Sequence, residues 1–135
     1  WYLLRTRDYD RHRYAYLNEM IGHAYSGKVV LSDPFTSLFV RGRAGAYVVT
    51  VPSGHASPAV DYKQRDPVVR AALRDGPDAL EGFIVDAVVV DKIKTAEFAG
   101  VTWEQIVNAW TKHDWTIESE TADAVVLSKS VGGTP

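Results

Sequence analysis

The sequence has no cysteine among its 135 residues. Disulfide staples, thiolate zinc sites, thiol nucleophiles and thiol redox couples are therefore excluded, while the compartment is left open. It has one methionine, Met20, and opens Trp1-Tyr2-Leu3-Leu4 with no initiator residue. That opening leads us to expect a segment cut from a longer chain. A surplus of charge is also missing. Fifteen Lys+Arg against seventeen Asp+Glu leave a formal net charge of -2, so no nucleic-acid partner is expected. No apolar run approaches the roughly 20 residues of a spanning helix. The best, from Ile84 to Val90, is interrupted by Asp86. Arg5, Arg7, Asp8, Asp10 and Arg11 follow the opening without an apolar h-region, so no signal peptide is expected. Trp1 to Leu4 ahead of Arg5-Thr6-Arg7 fits two accounts: the trimmed end of a membrane span, or a short apolar arm packed on the domain.

The chemical fingerprints are equally sparse. The first strand is followed by Ser32-Asp33-Pro34-Phe35-Thr36-Ser37 and not by a Gly-x-Gly-x-x-Gly loop, and no Gly-x-x-x-x-Gly-Lys-Ser/Thr occurs. Pro34 also removes a backbone donor that would cradle a phosphate. His12, His23, His55 and His113 show no His-x-x-x-His spacing for zinc, and no Gly-x-Ser-x-Gly elbow places a nucleophile. Asp8-x-Asp10-x-His12 has metal-compatible side chains. It sits among Arg5, Arg7, Arg11 and Arg13, however, where caps and solvated ion pairs are the ordinary account. No metal, no cofactor and no catalytic constellation is expected in this chain.

What is present is the composition of one globular domain, 46% hydrophobic and 24% charged, long enough to bury over ~60% of its unfolded surface. We read residues 1–135 as a single α/β domain, with 1–9 either a membrane-proximal remnant or an arm packed on the domain, and 131–135 a tail. Tyr14, Leu17, Ile21 and Ala24 form an apolar stripe at helical spacing, predicting a helix from Asp10 to about Tyr25. Lys28 to Ser32 is a β-branched strand, and Asp33-Pro34 a cap with proline at the first helical position. A helix through Phe35, Leu38 and Phe39 to near Gly42 follows, then a strand from Ala46 to Val51. Asp66-Pro67 repeats the start signal for a helix carrying Val68, Val69, Ala72 and Leu73. Gly76-Pro77 breaks it, and a short helix spans about Asp78 to Phe83. Ala87 to Val90 is a third strand. Thr102-Trp103-Glu104-Gln105 is a capping box opening a helix with Trp103, Ile106, Val107 and Trp110 on one face. Trp115 to Glu118 and Ala124 to Leu127 read as an antiparallel hairpin. The pattern predicts a small Rossmann-like layered fold, a mostly parallel mixed sheet ending in that hairpin.

Ligands in such sheets bind beyond the carboxyl ends of the strands. Two segments reach that rim: Ser32-Asp33-Pro34, and Pro52-Ser53-Gly54-His55-Ala56-Ser57. Asp33, Ser53 and His55 are thus the candidate ligand-binding residues, with helix capping and turn formation as their competing accounts. Arg5, Arg7, Arg11, Arg13 and Lys28 make a basic cluster that suits anionic lipid headgroups or a solvated helix face.

The order of segments resembles the soluble carboxy-terminal region of bacterial polytopic membrane glycosyltransferases of the type-C fold. These are relatives of the dolichyl-phosphate-mannose-type and arabinosyl transferases. The resemblance rests on Val30-Leu31-Ser32-Asp33-Pro34-Phe35-Thr36-Ser37, the small-residue turn Gly42 to Gly45, the strand Ala46 to Val51 with Pro52 and His55, and Val85-Asp86-Ala87-Val88-Val89-Val90. It spans about residues 10–130, and its motifs are short. It implies an extracytoplasmic position at the bacterial inner membrane and a parent that moves sugar from a lipid-linked donor. It also implies a non-catalytic covering or assisting role here, because the family's catalytic acids lie in loops between early spans. The partners implied are the rest of the membrane-spanning parent, lipid headgroups and a saccharide acceptor. Basic residues just after the opening pull the other way, toward a cytoplasmic side. Two other functions compete: a free-standing module binding a small polar ligand at the strand rim, and a hydrolase built on Asp33, Ser53 or His55.

Overall fold

The computed structural model describes residues 14–21, 24–49, 62–80, 82 and 84–129. In chain order the elements are α1 (Tyr16–Met20), β1 (Val29–Leu31), α2 (Pro34–Ala44), β2 (Tyr47–Val48), α3 (Tyr62–Asp75), a 3-10 turn (Pro77–Leu80), β3 (Ala87–Asp91), α4 (Lys94–Ala99), α5 (Trp103–Thr111), β4 (Trp115–Glu120) and β5 (Ala124–Lys129). The five strands form one sheet in the order β2-β1-β3-β5-β4. β1 pairs parallel with both β2 and β3, β5 pairs antiparallel with β3, and β4 pairs antiparallel with β5. Four strands therefore point one way and β5 alone runs against them. The α/β class and the mixed sheet closed by a hairpin agree with the sequence reading.

Strict alternation divides the sheet between two cores. Leu31, Val88, Val90, Val125 and Leu127 join Val69, Ala72 and Leu73 of α3 and Ile106, Val107 and Trp110 of α5. Val30, Ala87, Val89, Ala124 and Val126 meet Tyr14, Leu17 and Ile21 around α1 and Val40 of α2 on the opposite face. The β1-to-β2 connection steps one way along the sheet, and the β2-to-β3 connection returns past β1. Crossovers of one hand then require helices on opposite faces, which is where α2 and α3 lie. β3 is buried at all five positions, as expected of a central strand covered on both sides.

Local signals were mostly kept, with instructive shifts. Asp33 caps α2, its side chain accepting from Thr36 N–H with Pro34 beginning the helix, and the helix continues past Gly42 to a left-handed Gly45. Thr102 and Gln105 form both bonds of the capping box. The first helix is shorter than its stripe: α1 starts after Ala15 with no side-chain cap, Ala24 is exposed, and Tyr25 is buried instead. Asp10 lies outside the described residues. Asp66-Pro67 does not start a helix; Pro67 sits inside α3. Burial of Val69, Ala72 and Leu73 on the core face offsets the one backbone bond that proline removes. The segment after Gly76 is a 3-10 turn ending at Leu80. α4 has no counterpart in the sequence reading. Its cap residue Ile93 makes no side-chain capping bond; the amides of Ile93 and Lys94 are received by Asp91 at the end of β3.

Candidate functional site

β1 and β3 are neighbours whose following segments diverge to opposite sides of the sheet. This is the switch point at which open α/β sheets form their crevice. Each of these strands ends in a carboxylate, Asp33 two residues past β1 and Asp91 as the last residue of β3. Around them stand Ser32, Thr36, Ser37 and Thr95, and all six are fully buried.

The hydrogen bonds define one connected group. Thr95 Oγ1 donates to Asp33 Oδ1 at 2.6 Å and accepts from the Asp91 N–H at 2.8 Å. Asp33 Oδ2 accepts from Thr36 N–H at 3.0 Å. Ser32 Oγ donates to Val89 carbonyl at 2.7 Å and lies 3.3 Å from Asp33 Oδ1. Asp91 Oδ1 accepts from the amides of Ile93 and Lys94, opening the turn into α4. Asp91 Oδ2 accepts from Tyr16 Oη at 2.7 Å, which brings α1 onto the group. Thr36 Oγ1 meets Tyr14 Oη at 3.4 Å, and Tyr14 stacks on Phe39. Ser37 Oγ has no partner among the described residues. Burial raises the Asp33 carboxyl above its ordinary value. Hydrogen bonds from Thr95 and Thr36 oppose that rise, and the charge of Asp91 adds to it.

Comparison with protein-family models, curated proteins and solved structures finds no match. The chemistry of this site therefore carries the functional argument.

Of the candidate ligand residues, Asp33 is placed at the switch point, but as a cap turned inward. Ser53 and His55 lie outside the described residues, as do Asp8, Asp10 and His12. Asp91, Thr95 and Tyr16 were missed. A carboxylate within two residues of the end of a continuous apolar run is the signal shared by Leu31-Ser32-Asp33 and Val89-Val90-Asp91. Thr95 and Tyr16 had no such mark. Among the described residues no group of three or more His, Asp or Glu is placed to hold a metal ion. No described helix is long and apolar enough to cross a membrane.

The outer surface near this end is different in character. Phe35 and Ile93, at the first turn of α2 and just before α4, are 58% and 56% exposed. The Lys94 ammonium lies 6.0 Å from the Phe35 ring centre. Beside Ile93, an open groove of about 720 Å³ runs between α4 and α5, lined by Ile93, Ala96, Val101 and Trp103 and edged by Glu97 and Glu104. Lys92 stands over the Trp103 ring at 4.3 Å while pairing with Glu120 at 3.0 Å. Trp110, by contrast, is core: its Nε1–H donates to the Ala72 carbonyl and Trp115 meets it edge-on.

Proposed function

We propose that this chain is a non-catalytic α/β domain of a membrane-embedded glycosyltransferase-like protein, held at the extracytoplasmic face and covering or assisting sugar transfer from a lipid-linked donor. The observation that supports this is the closed state of the rim. Asp33 and Asp91, the two carboxylates at the switch point, are fully buried and bonded to Thr95, Thr36, Tyr16 and backbone amides. Reactive carboxylates need to reach a substrate proton within about 2.6–3.2 Å, directly or through one water. What faces outward nearby is apolar, Phe35 and Ile93, with the Lys94 ammonium 6.0 Å from the Phe35 ring. An apolar lip with a cation suits contact with the parent chain or lipid headgroups better than it suits turnover. The test is the full-length gene together with protease mapping of the parent in sealed membrane vesicles. Several apolar spans immediately upstream of Trp1, with this domain cleaved only from the extracytoplasmic side, are the expected result. A water-soluble upstream region overturns the reading.

The α4–α5 groove favours a second reading, a small-ligand module. Its volume lies in the ~300–1,000 Å³ range of ligand sites and it presents an indole beside carboxylates. A thermal-shift screen of soluble saccharides discriminates the two. A ligand-induced shift lost in Trp103→Ala, with the unliganded Tm kept, supports the module.

A further inference from the structure

The buried group at the switch point has an unusual hydrogen inventory. Asp33 is wholly enclosed, and each element around it contributes neutral or acidic groups. β1's end supplies Ser32; α2 supplies Thr36; α4 supplies Thr95; β3 supplies Asp91. Tyr16 of α1 and Tyr14 in the turn before it face the group through Asp91 and Thr36. The two nearest lysines turn away, Lys92 to Glu120 and Lys94 toward Glu97. No described cation pairs with Asp33. Its certain donors are one backbone N–H and one threonine hydroxyl, because the Ser32 hydrogen is engaged by the Val89 carbonyl. A carboxylate buried on those terms, with a second carboxylate nearby, is costly. A carboxylic acid is not, since its own hydrogen can be given to the free lone pair of Ser32 Oγ.

We propose that Asp33 is a proton-binding site, and that loss of its proton releases a latch, Asp33–Thr95–Asp91–Tyr16, that holds α1 on the sheet. The proton leaves to water and the negative charge stays on Asp33. A charged Asp33 is then enclosed near the Asp91 carboxylate, with the Thr95 hydroxyl and the Thr36 N–H as its donors. The least costly relief is to admit water, and α1 is the shortest helix bonded to the group. It has five residues, no side-chain cap, and a hydrogen bond to the site through Tyr16. Opening α1 frees the Asp91 carboxylate from Tyr16 and admits water to the group, while the β1–β3 pairing stays in place.

The test is a carbon-13 NMR titration of the aspartate carboxyls in the full chain, alongside amide exchange at Leu17 and Ile21, whose N–H groups bond Tyr14 and Leu17 carbonyls. The Asp33 carboxyl is expected to hold its proton after the exposed aspartates have ionised. Exchange at Leu17 and Ile21, corrected for its intrinsic pH dependence, should accelerate with the same midpoint, by up to about tenfold per pH unit. Asp33→Asn should abolish that acceleration. Tyr16→Phe should keep the Asp33 titration but raise exchange at every pH. Ionisation of Asp33 together with the exposed aspartates overturns the proposal, as does equal acceleration in Asp33→Asn. Should the Asn variant fail to fold, the wild-type midpoints decide: different midpoints for Asp33 and for α1 exchange refute the latch.

Discussion

Thr95 Oγ1 donates to Asp33 Oδ1 at 2.6 Å, tying the first turn of α4 to the cap of α2 across 62 residues of sequence. The same oxygen receives the Asp91 N–H, so one hydroxyl serves two segments that leave the sheet in different directions. Thr95→Val removes a donor and an acceptor together and leaves both partners buried. A loss of about 2–4 kcal/mol is expected, with Thr95→Ser losing less than about 1 kcal/mol, both from urea denaturation at unchanged m value.

Asp33→Ala removes the α2 cap and strands Thr95, and should cost about 1–3 kcal/mol at acid pH. The difference from wild type should shrink as pH rises. The folded carboxyl value is raised by burial, so the wild-type contribution is complete below the unfolded carboxyl value of ~3.9 and is lost as pH climbs through the folded one. Paired denaturation curves across pH check this, because the other carboxylates cancel in the difference. A gap that widens with pH contradicts it.

Ser37→Ala should be neutral or stabilising by about 0.5–1 kcal/mol. Ser37 is fully buried and its hydroxyl has no partner among the described residues. Alanine removes that polar burial and is the better helix former. A rise in Tm of a few degrees is the readout.

Two glycines separate backbone freedom from space. Gly76 has φ +105°, and a Cβ there would lie 2.9 Å from the Ala109 carbonyl oxygen. Gly27 has φ +74° with nothing within 4 Å. Gly27→Ala should cost about 1 kcal/mol for the left-handed conformation alone. Gly76→Ala should cost distinctly more, about 2–4 kcal/mol, since α5 must also move. Chemical denaturation of both variants gives the comparison.

Trp110→Phe keeps much of the apolar bulk of a fully buried indole but loses the bond from Nε1 to the Ala72 carbonyl. A loss of about 2–4 kcal/mol is expected from the orphaned carbonyl and the space left beside Trp115. Equilibrium unfolding measures it, and near-ultraviolet circular dichroism should lose the signal of the indole pair.

The elements written most clearly in the sequence are those whose signal is local. Capping needs only a side chain and an amide three residues on, so Asp33 and the Thr102–Gln105 box were legible. Continuous apolar runs were legible for the same reason, and they placed β1, β3 and β5 before any pairing was known. Elements without such a signal were not. α4 has only six residues and no capping bond from Ile93, the residue before it; the amides of Ile93 and Lys94 go instead to Asp91 at the end of β3, and Thr95 reaches Asp33.

The site divides along the same line. Sequence alone determined that a carboxylate would stand past β1 at the carboxyl rim, because strand, cap and proline follow one another in a few residues. Tertiary structure decided that Thr95 would join Asp33 to the Asp91 N–H, that Tyr16 would bond the Asp91 carboxylate, and that Asp33 would pair with no described cation. Those facts depend on β1 and β3 becoming neighbours through a crossover and on α1 folding back over them, contacts separated by 57 to 75 residues. Residue spacing carries no record of such distances. They follow from burying two apolar faces of one sheet at once, and the polar groups caught between those faces had to bond to one another.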